Sequence, residues 1–93
     1  MKIKQITNFL EDFASLHYQE SYDNSGLIIG DANLEVNSVL ISLDCTESVI
    51  DEAIETGCNF IISHHPLIFK GLKKLNGSNF VQRTIIKAIK YDI

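Results

Sequence analysis

The sequence predicts an α/β fold, a layered sheet with helices on its faces. Two short apolar runs, residues 38–43 and 60–63, have the length and composition of mostly buried strands. Between Thr46 and Gly57 the apolar residues recur at helical spacing. These segments predict a strand, helix, strand unit of the kind that builds parallel sheets, within a single α/β domain over residues 1–93.

Composition sets limits on this domain. The 93 residues have room for one modest core, and the net charge of −4 argues against nucleic acid as a partner. The charges are uneven: residues 1–56 hold eleven Asp and Glu against two Lys, and residues 57–93 hold one Asp against six Lys and Arg. Such a division indicates packing between the two halves of the chain or between chains.

The cysteines and the chain start indicate the compartment. Cys45 and Cys58 are thirteen positions apart and fit neither a CxxC zinc motif nor a dense disulfide framework, so we expect reduced core thiols. The first residues lack the long apolar core of a signal peptide, and no stretch approaches the length of a bilayer span. We therefore expect a cytoplasmic protein with no membrane segment.

The first third of the chain predicts a scaffold helix followed by a loop. An amphipathic helix is expected from Ile3 to Ser15, and His17 just after it is expected to be an ordinary residue. A turn-forming cluster at residues 22–26 then leads into the apolar residues 27–30, which we expect to form a strand. Within that cluster, Asp23 and Asn24 could offer oxygens to a metal or bond the loop backbone.

Helix ends and buried faces can be assigned in the rest of the chain. Either Thr46 or Asp44 is expected to cap the middle helix, and Gly57 is expected to end it. Asn79 is expected to cap a last helix. The residues expected on the buried faces of these two helices are Val49, Ile50, Ala53 and Ile54 in the first, and Val81, Ile85, Ile86 and Ile89 in the second.

Two adjacent histidines, His64 and His65, mark the candidate site. They stand where the second strand stops, because Pro66 prevents regular pairing from continuing. Ligands bind at the carboxyl ends of strands in open α/β sheets, although both rings could equally bond nearby carbonyls. Neighbouring strand side chains point to opposite faces, so we expect the rings to diverge, one toward each of two ions about 3.5–4 Å apart.

Asp44 is the candidate catalytic residue. It follows the first strand as His64 follows the second, so parallel strands would bring both residues to one edge of the sheet. A carboxylate there could orient a histidine ring, position a water, act as general base, or cap the next helix. We favour a carboxylate that orients a histidine over a direct metal ligand. The basic turn at residues 70–74 could attract phosphate or face solvent.

Three motifs together resemble the amino-terminal signature of the Nif-three-like family, also called GTP cyclohydrolase I type 2 homologs. They are Tyr-Asp-Asn-Ser-Gly-Leu at residues 22–27, Ser-Leu-Asp-Cys-Thr at 42–46 and Ile-Ser-His-His-Pro-Leu-Ile-Phe at 62–69. Tyr22 stands where the family usually has tryptophan. The resemblance implies toroidal homohexamers with a dinuclear centre of zinc, iron or manganese in each subunit, and it makes His64 and His65 metal ligands.

Further ligands of that family lie in a His-Thr-x-x-Asp motif and in a distant His and Glu pair, neither of which occurs in residues 1–93. The chain therefore resembles an incomplete amino-terminal piece of the larger fold, and we expect it to be weak or inactive as an enzyme by itself. Two functions follow from the resemblance. One is a metal-dependent hydrolase acting on a nucleotide or phosphoester. The other is a non-catalytic metal-binding protein with an assembly or regulatory role.

Overall fold

The computed structural model describes residues 1–13, 26–68 and 70–93. Helix α1 comprises Ile3–Phe13, strand β1 Val39–Ser42, helix α2 Glu47–Thr56, strand β2 Phe60–Ser63 and helix α3 Phe80–Lys90. The α/β class is confirmed, with the strands and helices in the predicted order. The last two residues of the predicted first helix, and the candidates Tyr22, Asp23, Asn24 and His17, lie outside the described residues, as does Phe69.

Strands β1 and β2 form a two-stranded parallel sheet, as the strand, helix, strand pattern predicts. Their register pairs Val39 with Phe60 at one end and Ser42 with Ser63 at the other. Helix α2 makes the connection between them. Thr46 is its N-cap, accepting a hydrogen bond from the Val49 amide at 3.3 Å. The helix ends at Gly57, whose φ of 75° is a left-handed conformation that glycine adopts without strain.

The core is small and draws on all three helices and β2. Its buried apolar side chains belong to Ile3, Ile50, Ala53, Phe60, Ile85 and Ala88. Beside this core, α2 and α3 are joined by two ion pairs, Arg83 with Glu47 and Lys87 with Asp51. The acidic first part of the chain thus packs against the basic last part, which is one of the two arrangements that the uneven charge predicts.

The strand predicted at residues 27–30 is wrong, because these residues have no regular secondary structure. Gly30 has a φ of 117°, which strands do not adopt. The chain beyond it pairs with the amino terminus instead. The amides of Ile3 and Lys4 donate to the carbonyls of Leu34 and Ala32 at 2.9 and 2.8 Å.

The buried face of α3 also differs from the prediction. Ile85 is buried, but Ile86 and Ile89 are 38% and 54% exposed, while the polar Gln82 and Thr84 are buried. Each polar side chain finds a hydrogen-bond partner. The Thr84 hydroxyl donates to the Phe80 carbonyl at 2.8 Å, and Gln82 Oε1 accepts from the loop before the helix. The spacing of apolar residues does not identify polar side chains that are buried because they have hydrogen-bond partners. Ile54 of α2, also predicted to be buried, is 38% exposed.

Among the described residues, no helix is both long enough and apolar enough to cross a membrane.

Candidate metal-binding site

The carboxyl ends of β1 and β2 lie side by side, and their backbone pairing continues past the last strand residues. The amide of His64 donates to the Ser42 carbonyl at 3.1 Å, and the amide of His65 donates to the Leu43 carbonyl at 2.9 Å. The chain leaving β2 is thus held against the chain leaving β1. This confirms that Asp44 and the histidines emerge at the same edge of the sheet.

Asp44 and His65 contact each other directly across this edge. His65 Nδ1 lies 2.7 Å from Asp44 Oδ1, and the two side chains are 50% and 58% exposed. A carboxylate oxygen without a proton can only accept, so the Nδ1–H of His65 is the donor. In the neutral form of the ring with this tautomer, the free electron pair is on Nε2, the atom available to a metal or a substrate. Of the roles considered for Asp44, this geometry favours the orientation of a histidine ring.

The alternative role of Asp44, as the cap of α2, does not hold. Thr46 provides that cap, with its side-chain oxygen on the Val49 amide. Asp44 is therefore two residues too early in the chain to act as the cap, and its carboxylate is directed to His65 instead. The sequence left both residues open as the cap because a pattern of residue types does not define the length of the turn between β1 and α2.

The expected divergence of the two histidine rings is wrong. Their centroids lie 4.9 Å apart with an angle of 56° between the ring planes, a tilted contact between neighbours. Both residues lie beyond Ser63, the last residue of β2, so the alternation of strand side chains no longer governs them. The imidazoles are therefore grouped at one place at the edge of the sheet.

His64 also borders an open cavity of about 740 Å³. The cavity is lined mainly by apolar side chains of both strands and of residues 27–29, together with the hydroxyl residues Ser42 and Ser63. Asp44 and His65 are not part of this lining. The two histidines therefore occupy different surroundings, His64 beside an apolar space and His65 beside a carboxylate.

Other ionisable residues near the site differ in their roles. Cys45, next to Asp44, is half-buried, and burial raises the pKa of its thiol. Both cysteines are free thiols, as predicted, although they lie at the margin of the core. Lys70, Lys73 and Lys74 are all exposed. Within residues 1–13, 26–68 and 70–93, no three His, Cys, Asp or Glu side chains converge as a metal-binding group.

Sequence reasoning missed two residues at this edge, Ser42 and Ser63. The hydroxyl of Ser42 donates to the Asp44 carbonyl at 2.7 Å, and that of Ser63 donates to the His65 carbonyl at 2.9 Å. Each serine is the last residue of its strand and stands two positions before a member of the Asp44–His65 pair. This spacing of a serine two positions before Asp44 and before His65 can be recognised in the sequence and would have indicated both serines.

Comparison with known proteins identifies relatives across the whole chain. Residues 1–93 match the sequence model of Duf34/NIF3 (NGG1p interacting factor 3). A GTP cyclohydrolase 1 type 2 homolog of Clostridium acetobutylicum is 44% identical over 93 residues, which are 100% of this chain and 35% of that protein. The chain thus spans about a third of that curated relative's length.

Solved structures have the same fold. The crystal structure of Staphylococcus aureus protein SA1388 matches with a TM-score of 0.93 and 49% identity, covering 100% of this chain and 26% of that one. A Bacillus cereus protein related to NIF3 matches with a TM-score of 0.91 and 43% identity, again over 100% and 26% of the two chains. The arrangement of helices and strands described above is therefore shared with these proteins.

Proposed function

The chain belongs to the Duf34/NIF3 family, and on that premise we propose that it is a metal-binding protein whose ions are held by His64 and His65. The observation that carries the proposal is the contact of 2.7 Å between Asp44 Oδ1 and His65 Nδ1. Metal-binding histidines commonly donate their second ring N–H to a carboxylate, which orients the ring and makes the ligand more basic.

The donors suit the metals that the family resemblance implies. Imidazole nitrogen is a good ligand for zinc and iron. In the described part of the chain, the ring of His64 has no hydrogen-bond partner, and His65 uses only Nδ1. At least one nitrogen of each ring is therefore available to bind an ion. Pro66, with its fixed φ, and the paired ends of β1 and β2 restrain the backbone at the histidines without a bound ion.

A hydrolytic use of the site is the first candidate activity. When bound, a divalent ion supplies a Lewis acid and lowers the pKa of a water molecule toward neutrality. Asp44 maintains the tautomer of His65, and the cavity beside His64 offers an apolar wall next to the site. The exposed Lys70, Lys73 and Lys74 provide positive charge shortly after the histidines. A nucleotide or a phosphoester fits this chemistry, and the name of the clostridial relative refers to GTP.

A non-catalytic role is the second candidate, with ions that stabilise an assembly such as the homohexamer implied by the family resemblance. It is favoured by the state of Asp44, one of whose carboxylate oxygens is already engaged in orienting His65. Zinc sites in proteins use about four ligands, so two histidines leave most positions of two ions to water or to further residues. We expect the 93-residue chain to bind ions weakly and to be a poor enzyme.

Metal titration tests the proposal. We expect calorimetric titration of the protein with Zn²⁺ or Mn²⁺ to show binding that the His64→Ala/His65→Ala variant loses. The loss should exceed the roughly 10–100-fold that removal of an outer partner costs, because both ligands are gone. The His17→Ala variant removes the third imidazole of the chain and is the matched control. Equal affinity in wild type and the double variant would contradict the proposal.

The two candidate activities are separated by assaying GTP and a simple phosphoester with the metal-loaded protein. Turnover that requires both the metal and the histidines supports the hydrolase. Intact metal binding without turnover of either substrate supports the non-catalytic role. Two tight sites per chain with rapid turnover would contradict the ligand count above.

A further inference from the structure

Ser42 and Ser63 form a matched pair at the carboxyl edge of the sheet. They are partners in the β1–β2 register and the last residue of their strands. Each hydroxyl donates forward along its own chain to the carbonyl two residues later, Ser42 to Asp44 at 2.7 Å and Ser63 to His65 at 2.9 Å. The same local bond thus occurs twice, once in front of each member of the Asp44–His65 pair.

These bonds define the course of the two turns. A hydroxyl that bonds a carbonyl two residues on restrains the backbone dihedral angles between them. The turns are also linked to each other, because the amides of His64 and His65 donate to the Ser42 and Leu43 carbonyls. Four hydrogen bonds therefore hold the backbone from which Asp44 and His65 project. Side chains as short as Asp depend on this backbone for their direction.

We propose that Ser42 and Ser63 are positioning residues that set the contact between Asp44 and His65. Each serine acts through the turn it holds, and neither is required to touch the metal. The effect on metal affinity rests on the proposed function, whereas the effect on the Asp44–His65 contact does not.

Ser38 provides a matched control on the same polypeptide. Its hydroxyl also donates to a carbonyl, that of Gly57 at 3.2 Å, and it is exposed just before β1 begins. It bonds across to the end of α2 at the opposite end of the sheet, away from Asp44 and His65. A general effect of removing a serine hydroxyl from this sheet should occur in Ser38→Ala as well.

The first experiment is carried out without metal. Long-range ¹H–¹⁵N spectra of the histidine side chains report which ring nitrogen carries the proton. Wild type should show His65 protonated at Nδ1, as its bond to Asp44 requires. In Ser42→Ala/Ser63→Ala we expect a mixture of tautomers, while Ser38→Ala should match wild type. Ser42→Thr/Ser63→Thr retains both hydroxyls and should restore the wild-type spectrum.

The second experiment titrates the same variants with Zn²⁺. We expect each single alanine variant to bind about 2- to 10-fold more weakly, the range that corresponds to one hydrogen bond. The threonine variant should recover this affinity. If the double alanine variant unfolds, the single variants and the threonine variant answer the question, with circular dichroism to verify folding.

The outcomes separate this proposal from the proposed function. An unchanged His65 tautomer in both folded single alanine variants overturns the positioning role, whether or not metal binds. A changed tautomer that threonine restores supports it. A wild-type protein with the expected tautomer but no affinity for Zn²⁺ would overturn the metal-binding function and leave the tautomer result to decide the role of the serines.

Discussion

The two ends of the β1–β2 sheet use polar side chains in different ways. At the amino end, side chains bond backbone groups: Asn59 Nδ2 donates to the Glu35 carbonyl and its Oδ1 accepts from the Asn37 amide, both at 2.8 Å. At the carboxyl end, the side chains of Asp44 and His65 bond each other, and the serines hold the backbone beneath them.

Under the proposed function, this difference separates an end that serves structure from an end that serves binding. Side chains that satisfy backbone groups connect segments of the chain and leave no reactive atom pointing outward. A carboxylate that holds an imidazole leaves the other ring nitrogen available. The substitutions below should therefore separate into those that change stability and those that change ligand binding.

The largest effect is expected from Asp44→Asn. The amide keeps the shape of the side chain but removes its negative charge, so the orientation of His65 is less favoured. We expect metal affinity, measured by calorimetry with Zn²⁺, to fall about 10–100-fold with little change in folding. Asp31→Asn is the matched control, since among the described residues the Asp31 carboxylate accepts from the Asn33 amide in its own turn. A lower melting temperature with unchanged affinity would assign Asp44 a purely structural role.

A substitution at the amino end of the sheet should lower stability and leave metal affinity unchanged. Asn59→Ala removes two hydrogen bonds of 2.8 Å, and we expect a loss of about 1–2 kcal/mol in the free energy of unfolding. Urea denaturation measures this loss, with Asn8→Ala on the exposed surface of α1 as the control. Metal affinity should stay at the wild-type value. A marked fall in affinity in the folded variant would show that the two ends are not independent.

The smallest effect is expected in the reactivity of the two cysteine thiols, Cys58 at the amino end of the sheet and Cys45 at the carboxyl end. Hydroxyl contacts from Ser38 and Thr56 lower the pKa of Cys58, whereas burial raises the pKa of Cys45. The thiolate is the reactive form, so iodoacetamide should modify Cys58 before Cys45 as the pH rises from about 7 to about 9. Peptide mass spectrometry measures both rates in one sample, and Thr56→Val should slow only Cys58. Faster modification of Cys45 would contradict these environments.

The same shifts define the sign of the pH dependence of stability. Because the folded pKa of Cys58 is lowered, its thiolate contributes stability that is gained as the pH rises through that pKa. Cys45 has the opposite sign, since its raised pKa means that stability is lost as the pH rises toward the folded value. The two contributions oppose each other in alkaline solution.

Local patterns were enough to predict much of the fold. Short-range patterns predicted the apolar runs that form β1 and β2, the cap Asn79 and the glycine that ends α2. They left Thr46 and Asp44 as alternatives for the cap of α2, which is Thr46. The parallel pairing follows because a helix connects the strands. The prediction of a strand at residues 27–30 is wrong because an apolar run does not reveal the positive φ of Gly30. Nor does it reveal that the following loop pairs with the amino terminus.

What the sequence by itself determined is which polar residues follow the two strands: His64 and His65 after β2 and Asp44 after β1. Only the tertiary structure decided how they are arranged. It brought Asp44 to His65, turned the two rings toward each other and gave Ser42 and Ser63 their bonds. The physical reason is that strand ends are set by local chemistry, whereas side-chain contacts beyond them depend on the register of two strands 21 residues apart along the chain.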